Sequence, residues 1–248
     1  MASSQFLKPT IVFFPGAFAS PSCFDNLAKQ LHSAEYSTHY VHTPSLSPSC
    51  PPEYATVERD AEITRRDHLF PLIKDQERDV IIFAHSYGGI VAGGAAHGLS
   101  KDKRAKAGKR GGVIGLLYCS GNITLEGESL LQTPSEGLAI ISPVKDILYN
   151  DCDPKLLPSL EAGMIPHSMT AFETPAPEPA WGEKCYQGKR SYVMTLKDAC
   201  NPKTLQDEWI SKTRVDWRIY EFETGHCPFI SKVEELAKAV VNFAELCG

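Results

Sequence analysis

The chain has 248 residues, of which 42% are hydrophobic and 22% charged, enough to bury one full core as a globular domain. A formal net charge of −5 gives no electrostatic reason for a nucleic-acid or membrane partner, and no apolar run reaches the length of a membrane span. Residues 1–16 lack the basic start of a secretory signal, and the eight cysteines show no CxxC or zinc-like spacing, so reduced thiols in a cytoplasmic protein without a metal are expected.

In chain order, a strand is predicted at 9–14, a helix at 22–33 and a second strand at 36–43. A Pro-rich surface loop over 43–52 then enters a long helix at 53–74. The apolar run 79–85 reads as a buried strand and 87–99 as the helix after it; the basic stretch from Lys101 to Lys106 reads as a solvated loop. A strand follows at 112–120. From 122 to 189 the text turns Pro-rich and patchy, with helical pieces near 142–149 and 154–164, and is expected to form a cap over a core made of 1–121 and 190–248. Strands at 190–197 and 217–224, with helices at 202–212 and 231–246, complete the chain. In the last helix Val233, Leu236, Ala237, Val240, Val241 and Ala244 form one apolar stripe, with Ser231 as predicted N-cap and Glu234 three residues on. This alternation predicts an α/β fold with a mainly parallel six-stranded sheet covered by helices on both faces.

The stretch Ala84-His85-Ser86-Tyr87-Gly88-Gly89 lies where the strand 79–85 meets its helix. It fits the G-x-S-x-G nucleophile elbow with Ala in place of the first Gly, small residues being needed two before and two after a strained serine. A serine becomes a nucleophile when a base takes its proton, so a histidine is required elsewhere. Of the eight histidines, His32, His39, His42, His68, His97 and His167 fall on helix faces, strand ends or the cap, and His85 lies inside the elbow. His226 differs: it follows the last strand in a Gly-containing loop, on the same sheet edge as Ser86. Asp198, after the fifth strand, is the carboxylate expected to orient it, and the order Ser86, Asp198, His226 is that of the Ser…acid…His arrangement. Backbone N–H groups of Tyr87 and Ala17, in Phe14-Pro15-Gly16-Ala17-Phe18, are the expected oxyanion donors.

On these motifs the chain resembles the α/β-hydrolase superfamily, and within it the small single-domain group that includes plant methylesterases and hydroxynitrile lyases. It looks most like fungal hydrolases of that group, whose first strand is followed by V-P-G-A-x-x-S-P, compared here with Phe14-Pro15-Gly16-Ala17-Phe18-Ala19-Ser20-Pro21. The segment Asp198-x-x-x-Pro202 and Gly225-His226-Cys227-Pro228-Phe229 also fit. The resemblance implies a six-stranded core, a helical cap after the fourth strand, a Ser86–His226–Asp198 triad and no metal or organic cofactor. Plant hydroxynitrile lyases carry Thr at the place of Gly16 and Lys at that of Cys227, so lyase activity is not expected.

The first expectation is hydrolysis of a small or medium carboxylic ester or lactone through an acyl-serine, with a small-molecule substrate as the partner. Carbon–carbon bond cleavage or cyclisation of a polyketide-like metabolite is a second reading, drawn from the apolar cap residues Met164, Met169, Phe172 and Trp181. With Phe18 these are the candidate substrate-binding residues, against the plainer reading that they are cap core. A ligand-binding receptor on a hydrolase scaffold is the third.

Overall fold

The computed structural model describes residues 8–47, 50–51, 54–131 and 138–248. Helix 53–74 begins at a residue outside this set, as do parts of the 43–52 loop and residues 1–7. The chain runs β1 (Thr10–Phe14), α1 (Asp25–Ser33), β2 (Thr38–Tyr40), α2 (Val57–Thr64), β3 (Asp79–His85), α3 (Gly88–Ala96), α4 (Lys101–Lys106) and β4 (Gly112–Cys119). The segment before the next core strand holds β5 (Leu138–Ala139), α5 (Val144–Ile147), α6 (Leu157–Ala162), β6 (His167–Ser168) and α7 (Thr170–Glu173). The chain ends with β7 (Arg190–Thr195), α8 (Lys203–Thr213), β8 (Arg218–Phe222), α9 (Pro228–Ser231) and α10 (Val233–Cys247). Six strands form one parallel sheet in the order β2-β1-β3-β4-β7-β8, while β5 and β6 pair antiparallel by themselves.

Strand parity builds two core layers. Val12, Phe14, Val80, Ile82 and Ala84 face α2 and α3, whereas Ile11, Phe13, Ile81 and Phe83 face α1 and α10. In β4 the parity slips at Gly115, where the register against β3 shifts: Val113, Leu116 and Tyr118 share the first layer, Ile114, Leu117 and Cys119 the second. A Cβ at Gly115 would sit 2.9 Å from the Phe243 ring, so the glycine lets α10 lie close on the sheet.

Three local expectations are corrected. The long helix at 53–74 is α-helical only over Val57–Thr64 and continues as π-helical turns at Arg65–Leu69 and Pro71–Asp75. Pro71 has no N–H and its ring crowds the carbonyl four residues back, which widens the turn. The basic stretch is the helix α4, capped by Ser100, whose side chain accepts from Lys103 N at 3.2 Å. Its Arg104 is buried and donates to the carbonyls of Gly111, Ile73 and Arg110. Ser231 does not cap the last helix: it closes the short α9, and its Oγ donates to Asp151 Oδ2 at 2.8 Å, leaving Lys232 as the junction.

Candidate active site

Ser86 stands at the carboxyl end of β3 with φ +49°, a left-handed conformation that its neighbours over-determine. Its carbonyl accepts from Gly89 N at 2.8 Å and Asn122 N at 2.9 Å. The turn is possible only because glycine follows: a Cβ at Gly88 would lie 2.5 Å from the carbonyl oxygens of Phe14 and Pro15. The same closeness operates from the other side, where a Cβ at Gly16 would meet His85 Nδ1 at 2.8 Å and Ser86 Cβ at 2.9 Å. Glycine therefore sets the contact between the β1 loop and the elbow.

His226, 1% exposed in the loop after β8, binds Asp198 Oδ2 through Nδ1 at 2.8 Å. Asp198, in the loop after β7, accepts three further hydrogen bonds: Thr195 Oγ1 at 2.8 Å, Cys200 N at 2.9 Å and Asn201 N at 2.8 Å. With its lone pairs so occupied the carboxylate has one orientation, and Nδ1 of the imidazole is held as the donor. Gln206 from α8 ties this loop to β7 through Thr195 N, Thr195 O and Asn201 O. The carbonyl of His226 is gripped as well, by Ser120 Oγ at 3.2 Å and by His85 Nε2 at 3.0 Å. Donation to that carbonyl puts a proton on His85 Nε2, and burial together with the nearby His226 holds its pKa well below the ordinary histidine value, so the ring is the neutral Nε2–H tautomer. His85, passed over in the sequence as part of the elbow, thus fastens the His226 loop to β3.

Ser86 Oγ rests against Asn122 Oδ1 at 3.5 Å and not on the imidazole. Ser86 and His226 share the wall of a cavity of about 30 Å³, together with Phe18, His85, Tyr149 and Cys227. On its other side Ser86 opens into a larger cavity of about 370 Å³ lined by Ala17, Phe18, Tyr87, Asn122, Leu130, Leu131, Phe172, Cys200, Asn201, Leu205 and Trp209. Ala17 and Tyr87, the expected oxyanion donors, both border it, and neither N–H is taken by an acceptor among the described residues.

Of the expected substrate-binding residues, Phe18 and Phe172 line this cavity and Met164, Met169 and Trp181 line neither. Met164 bridges backbone to Ala19 and receives the Tyr149 hydroxyl on its sulfur at 3.6 Å. Trp181 is 4% exposed, and its carbonyl accepts from Arg190 Nε at 2.5 Å; Met169 packs at the edge of the same core layer. Met164 packs against the other core layer, that of α1 and α10. Asn122, Asn201 and Trp209 were not singled out in the sequence, because no periodicity marks a residue that meets Ser86 only through the sheet. Among the described residues no group of three or more His, Cys, Asp or Glu is arranged to hold a metal ion, and no helix is long and apolar enough to cross a membrane.

Residues 11–239 match the model of the alpha/beta hydrolase family. The chain is 30% identical to the alpha/beta hydrolase nvfD of Aspergillus novofumigatus, the alignment covering 96% of this chain and 97% of that one. It is 23% identical to the pyrethroid hydrolase of Sphingobium wenxiniae, covering 95% and 87%. Among solved structures it is similar to a methylesterase from Arabidopsis, with a TM-score of 0.71, 18% identity and coverage of 96% and 99%.

Proposed function

The chain belongs to the alpha/beta hydrolase family, and from that premise we propose that it is a serine hydrolase that cleaves a carboxylic ester or lactone through an acyl-Ser86 intermediate. The observation that carries this reading is the His226–Asp198 contact at 2.8 Å, with the carboxylate saturated by Thr195, Cys200 and Asn201, beside a serine in a left-handed turn. Nδ1 donates to Asp198, so Nε2 is the basic nitrogen. Rotation about χ1 brings Ser86 Oγ from Asn122 to that nitrogen, which takes the proton as Oγ attacks the carbonyl carbon. The N–H groups of Ala17 and Tyr87 receive the oxyanion, each contributing roughly 3–4 kcal/mol to barrier lowering. His226 then protonates the leaving alcohol and later deprotonates the water that releases the acid. The names of the relatives, a pyrethroid hydrolase and a methylesterase, support ester chemistry. The free thiols of Cys23, Cys119, Cys152, Cys185, Cys200, Cys227 and Cys247 support a reducing, cytoplasmic setting.

Intact-mass labelling with a fluorophosphonate tests the reading. One adduct is expected on the wild type and none on Ser86→Ala; a folded wild type that stays unlabelled would remove the acyl-serine mechanism.

A further inference from the structure

Two carboxamides interrupt the otherwise mostly apolar wall of the 370 Å³ cavity, those of Asn122 and Asn201. Both are nearly buried, at 4% and 6% exposure. Asn122 cannot drift away, since its N–H holds Ser86 O and its own carbonyl is packed where a Cβ at Gly89 would come within 2.5 Å. Because Oδ1 accepts from Ser86 Oγ, Nδ2 is the other end of the amide, and it makes no hydrogen bond to an acceptor among the described residues. Asn201 spends its Nδ2 on Ser120 O at 2.9 Å, two residues before Asn122, and both amides border the same cavity. No donor among the described residues reaches Asn201 Oδ1. A donor and an acceptor therefore face the cavity next to the nucleophile, and a hydroxyl group, which donates and accepts at a single oxygen, satisfies both.

We propose that Asn122, seconded by Asn201, selects esters or lactones whose apolar acyl chain carries a hydroxyl on the first or second carbon from the scissile carbonyl. This rests on the ester-hydrolase reading above. Ser86 Oγ starts 3.5 Å from Asn122 Oδ1 and moves only by rotation about χ1 when it bonds to the carbonyl carbon, so the Asn122 amide stays near the reacting centre and its Nδ2 faces the first carbons of the acyl chain. The remainder of the chain lies among Phe18, Leu130, Phe172, Leu205 and Trp209. A chain without the hydroxyl leaves a donor unpaired in an apolar pocket and is disfavoured for that reason.

The experiment compares ethyl hexanoate with ethyl 2-hydroxy- and 3-hydroxyhexanoate by proton release, in the wild type, Asn122→Leu and Asn122→Asp. The wild type is expected to favour one hydroxy ester by roughly tenfold or more in kcat/KM. Asn122→Leu, close in volume, loses more on that ester than on ethyl hexanoate and brings the ratio near one. Asn122→Asp keeps the acceptor for Ser86 and removes both donors, and should collapse the ratio too. Ser86 labelling by a fluorophosphonate reports on the machinery separately. Labelled enzyme with equal rates on all three esters, with turnover of none of them, or with a preference that survives both variants would overturn the role of Asn122. An unlabelled Ser86 in folded wild type would instead overturn the ester-hydrolase reading.

Discussion

Asp60 is fully buried on α2, and its partners are hydrogen-bond donors in place of a cation: Ser45 N at 3.0 Å, Ser45 Oγ, and Tyr87 Oη at 2.7 Å. Burial outweighs these bonds and pushes its carboxyl up from 3.8 to about 6. A folded pKa above the unfolded one means that the folded state binds the proton more tightly. The stabilisation is therefore complete below pH 3.8 and lost as pH rises through about 6, an amount of about 3 kcal/mol. Urea unfolding of Asp60→Asn should accordingly gain about that much on the wild type between pH 4 and pH 7.5. A difference that is the same at both pH values would show that Asp60 titrates normally. Tyr87 is the residue after the nucleophile, so this buried carboxylate also holds the ring behind an expected oxyanion donor. Asp198 likewise has only donors for partners, but one of them is the imidazole. Asp198→Asn should turn His226 toward the wrong tautomer and lower kcat by about 10³–10⁴-fold with little change in the unfolding midpoint. A loss below tenfold would take Asp198 out of that role.

At the scale of elements, the elbow works because β1, β3 and α3 approach more closely than side chains allow. Gly88→Ala would place a methyl group 2.5 Å from two backbone carbonyl oxygens of the β1 loop, neither of which can rotate away. The expected result is a loss of about 1–3 kcal/mol in urea unfolding, as for an overpacked core. Slower fluorophosphonate labelling should accompany it, since the displaced loop carries Ala17. Wild-type labelling with unchanged stability would mean the loop yields freely. The helices show how far local signals carry. Apolar spacing located α1, α3, α8 and α10 within a few residues. It ran straight through Pro71, where the missing N–H produces π-turns, and it could not see that Arg104 in α4 turns inward to three carbonyls. The N-cap pattern at Ser231 failed for a related reason: Asp151, far along the chain, competes for that hydroxyl.

For the whole molecule, the sheet order β2-β1-β3-β4-β7-β8 carries the loops after β1, β3, β4, β7 and β8 to one edge, and each contributes a residue to the site. The segment between β4 and β7 folds back over that edge, where Leu130, Leu131 and Phe172 close the larger cavity and Phe18 joins it from the β1 loop. Aromatic contacts bind this layer down: Phe172 stacks on His167 at 4.6 Å, and His167 meets Tyr87 edge-on at 4.7 Å. Cohesion thus comes from packing, while Cys23, Cys119, Cys152, Cys185, Cys200, Cys227 and Cys247 remain thiols. Dithiothreitol should therefore leave the melting midpoint unchanged. A stabilising disulfide contributes about 2–5 kcal/mol, so a drop of several degrees would reveal one.

The sequence by itself determined the parts that are local in the chain. Runs of Val, Ile and Phe ended by small residues marked all six sheet strands, with β2 and the outer ends of β7 and β8 drawn too long. The Ala84–Gly89 turn and the order Ser86, Asp198, His226 were legible because a sharp turn demands glycine and because α/β sheets gather their loops at strand carboxyl ends. Tertiary structure alone decided what meets across the sheet. Asn122 against Ser86, His85 on the carbonyl of His226 and Asp60 beneath Tyr87 join segments 27 to 141 residues apart. It likewise decided that Phe172 lines the larger cavity while Met164, Met169 and Trp181 line neither. Periodicity records which face of an element is apolar; which neighbour that face finds is set by packing between distant segments, and no spacing along the chain encodes it.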